Sequence, residues 1–535
     1  MIRRFIFTLS VLLAGVCFVS GIAAASVYSG NCETEGPWQY TVLKDGSARI
    51  VGYTDPDFEG ELKIPEKVNS HTVTSIRGLS LMKRITKLSI PDSVTALGIN
   101  AFTGDSSLEE VKLPSSLATI GMYAFKETGL KKVGIPGSVT DVGDHAFSDT
   151  PLETVEFVPG EQIRIRGNPF ANTRVEHFSV PEEHPDLASC QGVLFDKNEK
   201  KLLSYPAAAA VQEYTIPQGI RVIGQSAFEG TRTTRINIPD TVTRIEDRAF
   251  YKSSLVEPIL PDSVDTLGEM SFSGCKSLKS IRLGSGLGTI GNFAFSGCSL
   301  LQRIEIPENV REIGTGIFNN CEALTEIAVS GGNPFFCVQD HCLIETEFAR
   351  VIAFPGGISV NTLEIPDGIL VVGDDALSGA RIKHIILPES VRMLGDQSFS
   401  YMSSLSSIQL NKGLLFIDGS CFSNSLNLNG IRIPRSVGRI GYDPFPETDK
   451  LKVEVGAGSY AESYCRQKGI PFTCTDDSEE TGPIPFSSPV LGFSELPAED
   501  LRNSVSEYLK GLSKGEKLPK SGQKQGFPAR SASWN

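Results

Sequence analysis

A single motif repeats along most of this chain, and the repetition constrains the fold more than any other feature of the sequence. Two consecutive copies read LKSIRLGSGLGTIGNFAFSGC (278–298) and LQRIEIPENVREIGTGIFNNC (301–321), and a third reads LEEVKLPSSLATIGMYAF (108–125). The shared frame is L-x-x-I-x-I-P-x-S-V-x-x-I-G-x-x-A-F-x-G-C. A short period of this kind, sustained over most of a chain, indicates a stacked repeat architecture.

The phenylalanine of the frame marks the phase of the repeat. Leu377 takes its place once. The copies are Phe102, Phe125, Phe147, Phe170, Phe228, Phe250, Phe272, Phe295, Phe318, Phe399, Phe422 and Phe445. We expect one ring per coil inside the molecule, with Phe102, Phe125, Phe147, Phe250, Phe272, Phe295 and Phe318 in one internal column.

The frame also predicts the shape of one coil. The I-x-I triplet alternates, so one side of a short strand faces inward, and the proline after it ends the strand. The V-x-x-I-G segment predicts a second extended piece, with the glycine permitting a tight corner. A coil of this length buries its apolar side only against its neighbours. The fold class predicted is therefore a mainly β, right-handed repeat solenoid over residues 61–456, uninterrupted from about residue 60.

Two longer intervals interrupt the period, at 167–217 and 331–366, and they resemble each other. Both run from N-P-F through an apolar segment and a polar turn to Y-P or F-P, and then return to the frame. Each predicts a coil with an inserted β-hairpin, near 181–216 and 331–366. Their similarity suggests that the array grew by duplication of a block.

The ends of the chain depart from the frame. Arg3 and Arg4 precede an apolar run that ends at Ala23–Ala25, which predicts a signal peptide over 1–25 with cleavage before Ser26; the alternative is an uncleaved anchor. Beyond it we predict an N-terminal cap over 26–60 with a hairpin turning at Asp45 and Gly46. Residues 457–474 predict a C-terminal cap with a helix, and 475–535 a mostly disordered tail with a short helix at 497–512.

Few motifs in the chain carry chemistry. The net charge of −13 disfavours nucleic-acid and anionic-membrane partners, which require clustered Lys and Arg. Gly286, Gly288 and Gly291 match a dinucleotide fingerprint, but a second strand is expected where the fingerprint needs a helix. No catalytic motif accompanies the six histidines, and His145 is expected at an exposed corner. We therefore predict no catalytic or metal-binding residues and no cofactor.

The cysteines favour burial over metal binding or cross-linking. Cys275, Cys298 and Cys321 take one phase of consecutive coils, so their side chains point in parallel, whereas zinc ligands must converge. Buried thiols are the favoured interpretation there. The better disulfide candidates lie in local turn-backs, namely Cys337 with Cys342 and Cys465 with Cys474. Any active site is expected in the hairpin coils, which hold His184, Cys190, Asp340, His341 and Cys342.

The outward positions of the first strand are where a binding solenoid meets its ligand. They carry alternating signs and no acid pair, aromatic cage or basic stripe, so no ligand patch stands out. These positions are Glu110 and Lys112, Thr154 and Glu156, Arg235 and Asn237, Ser280 and Arg282, Arg303 and Glu305, Glu326 and Ala328, and Ser407 and Gln409.

The frame I-P-x-S-V-x-x-I-G-x-x-A-F-x-G-C, the longer N-P-F … Y-P coils and the closing G-S-Y-A-E-x-Y segment resemble the BspA-type leucine-rich repeat over roughly residues 38–474. The resemblance implies a curved solenoid that is secreted or held at a cell surface. It further implies a protein-binding or adhesion module for extracellular or host proteins, not an enzyme. Two alternatives stay open: a carbohydrate-active parallel β-helix enzyme, and a surface antigen with no dedicated ligand. The oligomeric state is left open.

Overall fold

Each copy of the repeat forms one coil with two short strands and a run of turns, and successive coils stack through parallel pairing. The I-x-I triplet forms the longer strand, here called the first strand. In Arg303–Ile306 the two isoleucines are buried and the two charged residues are exposed. The V-x-x-I-G segment forms the second strand, which is very short, as in Thr289–Ile290. The mainly β repeat solenoid predicted from the sequence is confirmed.

The computed structural model describes residues 32–475 apart from residues 56, 80–83, 161 and 210. The predicted signal peptide (1–25) and the predicted tail with its helix at 497–512 lie outside the described residues.

The second strands belong to three sheets, which divide the array into block 1 (33–179), block 2 (187–329) and block 3 (336–475). In block 1 the sheet contains Glu33–Glu35, Trp38–Val42, Ala48–Tyr53, His71–Ile76 with Lys67–Val68 alongside, Ala96–Leu97, Thr119–Ile120, Asp141–Val142 and Arg164–Ile165. In block 2 it contains Leu187–Cys190, Val193–Asp196, Lys201–Ser204, Val222–Ile223, Arg244–Ile245, Thr266–Leu267, Thr289–Ile290 and Glu312–Ile313. In block 3 it contains Phe336–Gln339, Cys342–Glu345, Arg350–Ala353, Val371–Val372, Met393–Leu394, Phe416–Ile417 and Arg439–Ile440.

The first strands stack beside one another on the other wall of the coil. In block 1 they are Gly60–Lys63, Ile85–Ser89, Glu110–Lys112, Lys132–Ile135, Thr154–Phe157 and His177–Ser179. In block 2 they are Glu213–Thr215, Arg235–Asn237, Arg303–Ile306 and Glu326–Val329. In block 3 they are Ser359–Glu364, Arg381–Ile386, Ser407–Gln409, Gly430–Ile433, Lys452–Gly456 and Phe472–Thr475.

Two predicted first strands of block 2 do not form. The segments around Ile259 and Ile281 keep only isolated bridges, between Ile259 and Arg282 and between Ser280 and Arg303. Pro258 precedes Ile259 and lacks the N–H group that a ladder requires, which accounts for the loss of regular pairing here.

Each block opens with a three-stranded antiparallel meander, in which the two predicted hairpins are present and are joined by an outer strand that was not predicted. The sheets of second strands break at the block boundaries. The N-terminal hairpin expected at Asp45 and Gly46 is present and belongs to the same kind of meander. The block 2 meander is buried on both faces: Leu194 and Leu203 join the core of block 1, whereas Phe195 and Leu202 join the core of block 2. The meander thus fills the space between two blocks.

The turns that carry the phenylalanines continue across both junctions. Asn168 Nδ2 donates to the carbonyl of Ser226 at 2.8 Å, and Asn319 Nδ2 donates to Asp375 Oδ1 at 3.0 Å. The phenylalanine rings stack with centroids 4.9 Å apart for Phe250 and Phe272 and 6.1 Å apart for Phe295 and Phe318. The predicted internal column is confirmed within the blocks.

Two column members were missed by the sequence analysis. The amide of Tyr205 donates to the carbonyl of Ala227, and that of Phe354 donates to Ala376, as the amide of Phe102 does to Ala124. Tyr205 also stacks on Phe228 at 5.0 Å. An aromatic residue at the end of each of these meanders therefore starts the column of the block to which the meander belongs.

The glycine of the V-x-x-I-G segment has a different role from the one predicted. Gly291 does not adopt a positive φ angle, so it provides no special corner. A Cβ atom there would lie 2.6 Å from the backbone nitrogen of Glu269 in the preceding coil. Positive φ angles occur instead on both sides of the phenylalanine, for example at Tyr123 (59°) and Glu127 (58°). The glycine is required because consecutive coils approach closely.

The C-terminal end is closed by helix α1, Tyr460–Lys468. Ser459 caps its N-terminus by accepting a hydrogen bond from the amide of Glu462, and Gly469 ends it with a φ angle of 69°. Ala461, Tyr464 and Cys465 pack on the core of block 3. The helix expected in the C-terminal cap is therefore present.

Candidate functional site

The outward residues of the first strands form an exposed face with mixed charge, here called the first-strand face. Arg303 Nε lies 3.4 Å from Glu326 Oε1 in the next coil, and Lys87 Nζ lies 3.0 Å from Glu110 Oε1. Because these side chains are about half exposed, the pairs add little stability, and they keep the face free of like-charge columns.

A groove of about 590 Å³ opens on the first-strand face of block 2. It lies beside the segments where the first strands are reduced to isolated bridges. Its floor is formed by buried apolar residues and its rim by exposed charged ones. The floor includes Ile281, Leu283, Ile304 and Pro307, and the rim includes Asp262, Arg282, Arg303, Glu305 and Glu308. The sequence pattern placed several of these residues at outward positions but did not predict a groove. We attribute the groove to the loss of regular strand pairing near Pro258.

A second cleft, of about 580 Å³, lies at the junction of blocks 1 and 2. Its charged groups are mostly paired with one another. Arg166 contacts Asp141 through both Nε and Nη2 at 2.7–3.0 Å, and Lys201 Nζ lies 2.8 Å from Glu246 Oε2. Arg164 has no ion pair among the described residues and is exposed. The cleft is consequently polar and close to electrically balanced.

Beside this cleft, His145 is buried, so its predicted exposure is wrong. Its Nδ1 lies 2.8 Å from Asp144 Oδ1, and its Nε2 lies 3.5 Å from Glu229 Oε2 of block 2. Arg248 Nη2 approaches the other oxygen of Glu229 at 3.4 Å, and Gln225 Nε2 donates to Asp144 Oδ2 at 2.8 Å. The cluster joins two side chains of block 1 to three of block 2.

The charges of the cluster fix its protonation. Burial alone lowers the pKa of His145, but the contacts with Asp144 and Glu229 outweigh burial and raise the pKa to about 9. Burial raises the pKa of Glu229, but His145 and Arg248 outweigh it and hold that pKa below its usual value. At neutral pH the histidine is thus a cation between two carboxylates. Such an arrangement holds the two blocks together and leaves the imidazole unsuited to act as a base.

The residues of the hairpin coils are not brought together. His184 is buried, and its Nδ1 accepts from the amides of Asp186 and Leu187 at 3.2 Å, which is a structural role within a turn. His341 lies in the turn of the block 3 meander, at the other junction. Burial raises the pKa of the neighbouring Cys342 to about 12, so its thiol stays protonated.

The cysteine column consists of buried thiols, as the sequence analysis favoured. Cys275, Cys298 and Cys321 donate to the carbonyls of Phe250, Phe272 and Phe295 at 3.0, 3.2 and 3.1 Å. These bonds link each coil to the one before it.

Neither predicted disulfide is formed, and all four cysteines are free thiols. In each pair one thiol is buried, Cys342 or Cys465, and the other is exposed, Cys337 or Cys474.

The other chemical motifs have no counterpart in the structure. The strand Thr289–Ile290 follows Gly288 where a dinucleotide site needs a helix, so the fingerprint is part of the repeat. Within residues 32–475, apart from the few positions left undescribed, no group of three or more His, Cys, Asp or Glu side chains is arranged to hold a metal ion. In the same part of the chain no helix has both the length and the apolarity that crossing a membrane requires.

Comparison with solved structures returns several bacterial leucine-rich repeat proteins. The pneumococcal vaccine antigen PcpA is 15% identical, with 85% of this chain and 98% of that chain covered and a TM-score of 0.41. A leucine-rich cell surface protein from Faecalibacterium prausnitzii is 18% identical, with coverages of 85% and 97% and a TM-score of 0.33. A leucine-rich repeat protein from Bacteroides ovatus is 19% identical, with coverages of 83% and 99% and a TM-score of 0.36. No curated protein sequence matches this chain.

The repeat itself identifies the family. The profile of the BspA type leucine-rich repeat region matches residues 80–197, 205–325 and 350–452, which together make up more than half of the chain. The coil, with its first strand, its second strand and its stacked phenylalanine, is the structural form of that repeat here. The chain therefore belongs to the BspA-type leucine-rich repeat family.

Proposed function

We propose that this protein is an exported, cell-surface binding module that contacts extracellular or host proteins through its first-strand face. The observation that carries the proposal is the groove of about 590 Å³ on that face. Here the face is concave, and exposed side chains of both charges surround a floor of buried apolar residues. Concave sites with an apolar floor and a few polar groups are the usual form of binding sites.

The groove fits an extended segment of a partner protein. The backbone of Arg282 is hydrogen-bonded to the preceding coil, because its amide donates to the carbonyl of Pro258 and its carbonyl accepts from the amide of Leu260. A partner segment is therefore selected by the side chains that line the groove. Ile259, which is 58% exposed, adds apolar surface next to the groove.

The same face argues against the role of a carbohydrate-active β-helix enzyme. Glycoside hydrolysis uses two carboxyl groups set about 5–10 Å apart across a scissile bond. On the first-strand face the carboxylates pair with basic neighbours, as Glu326 does with Arg303. We therefore infer a non-enzymatic role.

Binding to a panel of purified extracellular-matrix and plasma glycoproteins tests the proposal. We expect the chain to bind at least one component, and the double variant Arg282→Glu/Arg303→Glu to bind it at least about tenfold more weakly. The matched control is Lys132→Glu/Arg235→Glu, which reverses two exposed charges of the same face outside the groove. The control should stay within about twofold of the unmodified chain.

Two outcomes contradict the proposal. One is a chain that binds no component of the panel. The other is an equal loss of binding in both double variants, which would show that binding depends on the overall charge of the face and not on the groove. Export is tested separately, because exported protein should begin at Ser26 on N-terminal sequencing.

A further inference from the structure

The cleft of about 580 Å³ at the junction of blocks 1 and 2 shares no lining residue with the groove on the first-strand face. It lies where the sheet of second strands breaks, because Arg164–Ile165 ends the sheet of block 1 and Arg244–Ile245 belongs to that of block 2. The meander of block 2 adds Glu199 and Lys201 to the lining. Its volume falls in the range of small-molecule sites, which is roughly 300–1,000 Å³.

The charges of the lining disfavour a strongly charged ligand. Four of the lining side chains are basic, and four are acidic. A polyanion therefore meets as many repulsive as attractive groups, and the net charge of −13 on the chain disfavours it further. A polycation meets the exposed guanidinium of Arg164, which has no ion pair among the described residues. A neutral ligand is the class that these charges favour.

The charged side chains of the cleft are held in place by one another. Lys201 Nζ lies 2.8 Å from Glu246 Oε2, and Arg244 Nη2 lies 3.0 Å from Glu246 Oε1. Arg166 is fixed on Asp141 through Nε and Nη2. These contacts use only part of the capacity of each group, because a guanidinium has several N–H donors and a carboxylate has several acceptor sites. The lining thus presents donors and acceptors that are already ordered, which lowers the entropic cost of binding.

A ligand rich in hydroxyl groups matches such a lining. Each hydroxyl both donates and accepts hydrogen bonds, so it can contact a guanidinium and a carboxylate at once. A saccharide carries a hydroxyl on most of its carbon atoms, whereas an uncharged peptide adds apolar side chains to its amide groups. The cleft offers little to apolar side chains, since its two isoleucines, Ile165 and Ile245, are buried.

We propose that the cleft between blocks 1 and 2 binds a neutral oligosaccharide. Arg164 and Arg244 donate hydrogen bonds to its hydroxyl groups, and Glu246 and Asp247 accept hydrogen bonds from them. No aromatic side chain is found among the described residues that line the cleft, so the affinity rests on hydrogen bonds and not on stacking against a sugar ring. Because these hydrogen bonds replace others made to water, we expect a Kd of about 1 mM.

Saturation-transfer difference NMR of the full chain tests the proposal, with cellotriose, maltotriose, lactose and N,N′-diacetylchitobiose as probes. We expect at least one of them to bind. A neutral peptide with hydroxyl groups, N-acetyl triserine amide, and an anion, heparin disaccharide, should each bind at least about tenfold more weakly than that sugar. Since the ligand is neutral, its affinity should change by less than about twofold when NaCl is raised from about 50 to about 500 mM.

A double variant locates the site. Arg164→Leu/Arg244→Leu removes N–H donors but keeps much of the side-chain volume, and it should weaken sugar binding by at least about tenfold. The matched control is Arg221→Leu/Arg311→Leu, at two exposed arginines that directly precede other second strands of block 2 and do not line the cleft. The control should stay within about twofold of the unmodified chain. A circular dichroism melt of each variant verifies that the fold is kept.

A chain that binds none of the four saccharides overturns the proposal. So does equal binding of the peptide or of the heparin disaccharide, a steep fall of the affinity with salt, or an equal loss of binding in both double variants. The inference does not rest on the proposed function, because the variant Arg282→Glu/Arg303→Glu should bind the sugar as the unmodified chain does. Loss of sugar binding in that variant would place the sugar in the first-strand groove and contradict the assignment to the cleft.

Discussion

Gly291 lies where two coils approach each other too closely for any side chain. Its missing Cβ would fall 2.6 Å from the carbonyl carbon of Gly268 and 2.8 Å from its oxygen. Gly121 and Gly143 have the same relation to the coils before them. Because the clashing atoms belong to the backbone of the preceding coil, rotation of a side chain does not relieve the overlap. A larger residue therefore forces the coils apart.

Gly291→Ala is accordingly expected to lower the free energy of unfolding by about 1–3 kcal/mol, the usual range for forced overpacking. Gly134→Ala is the matched control: this glycine lies in the strand Lys132–Ile135 with no heavy atom within 4 Å of a Cβ. It should change stability by less than about 1 kcal/mol. Urea unfolding followed by circular dichroism checks both, and equal effects would refute the close-stacking role.

His145 predicts how stability depends on pH. Its pKa rises from 6.5 to about 9 on folding, so its contribution is complete below pH 6.5 and is lost as the pH rises through 9. The shift corresponds to about 3 kcal/mol. Glu229 has a lowered pKa, so its contribution is present above pH 4.5 and is lost as the pH falls.

The urea midpoint for blocks 1 and 2 should therefore fall between pH 6.5 and pH 9.5. His145→Gln should be less stable at pH 6.5 and show a smaller change over that interval. His384→Gln, at an exposed first-strand position, serves as the control and should keep the full pH dependence. An unchanged pH profile in His145→Gln would contradict the role of the cluster in the pH dependence of stability.

The buried rings were predictable from the sequence, but the His145 cluster was not. An aromatic residue that recurs at the same position of the frame is predicted to be buried from the period alone. His145 has no such signal, because its partner Glu229 belongs to a different block and reaches it only across the junction. A contact across the junction of two blocks does not recur from coil to coil, so no repeating pattern in the sequence predicts it.

At the scale of a single coil, stability comes from the ring stack and from side chains that reach the neighbouring coil. The serine of the frame is one of these, because Ser138 Oγ donates to the carbonyl of Leu117 and Ser263 Oγ to that of Val242. Aspartate is another, since Asp262 Oδ1 accepts from the amide of Ser285 at 2.8 Å. These hydroxyl and carboxylate contacts satisfy backbone groups between coils.

Phe295→Ala is expected to cost about 3–5 kcal/mol, because it leaves a cavity in a stack with limited freedom to collapse. The damage should concentrate in the coils of Phe272 and Phe318, since contacts in a solenoid are between nearest neighbours. Leu300→Ala, at a side chain that is 47% exposed, is the control. Hydrogen exchange of the variant measures the spread, and uniform loss of protection over all three blocks would contradict the nearest-neighbour description.

The meanders could be predicted only in part. Tyr205 precedes Phe228 by one period of the repeat, and Phe354 precedes Leu377 by one period, so the period itself places both in the column. The strand that was missed is the outermost one, as in Leu187–Cys190, because this short strand buries only its first residue and shows no alternating pattern.

At the scale of the whole molecule, three blocks of one design follow one another. Each begins with a meander, continues with parallel coils and has its own hydrophobic core. The N-terminal hairpin and the two long intervals are the same element in three places. The similarity of 167–217 to 331–366 pointed to this design. The N-terminal hairpin was predicted, but its likeness to these two intervals was not, because it lacks the N-P-F and Y-P signals.

The two walls of the array differ in their contacts. The wall formed by the turns that carry the phenylalanines is here called the turn wall. It is held together by the ring column and by side-chain hydrogen bonds across the junctions, such as that of Asn319 with Asp375. The first-strand face carries exposed charges and the groove near Arg282 and Arg303. We propose that the first-strand face, and not the turn wall, contacts the partner.

Hydrogen exchange of the chain, free and bound to the panel glycoprotein that it holds most tightly, tests this claim most directly. The account predicts slower exchange on binding at 280–283 and 303–306, with no change in the turns at 293–298. Slower exchange confined to those turns, or to the meander turn at Asp340 and His341, would contradict it.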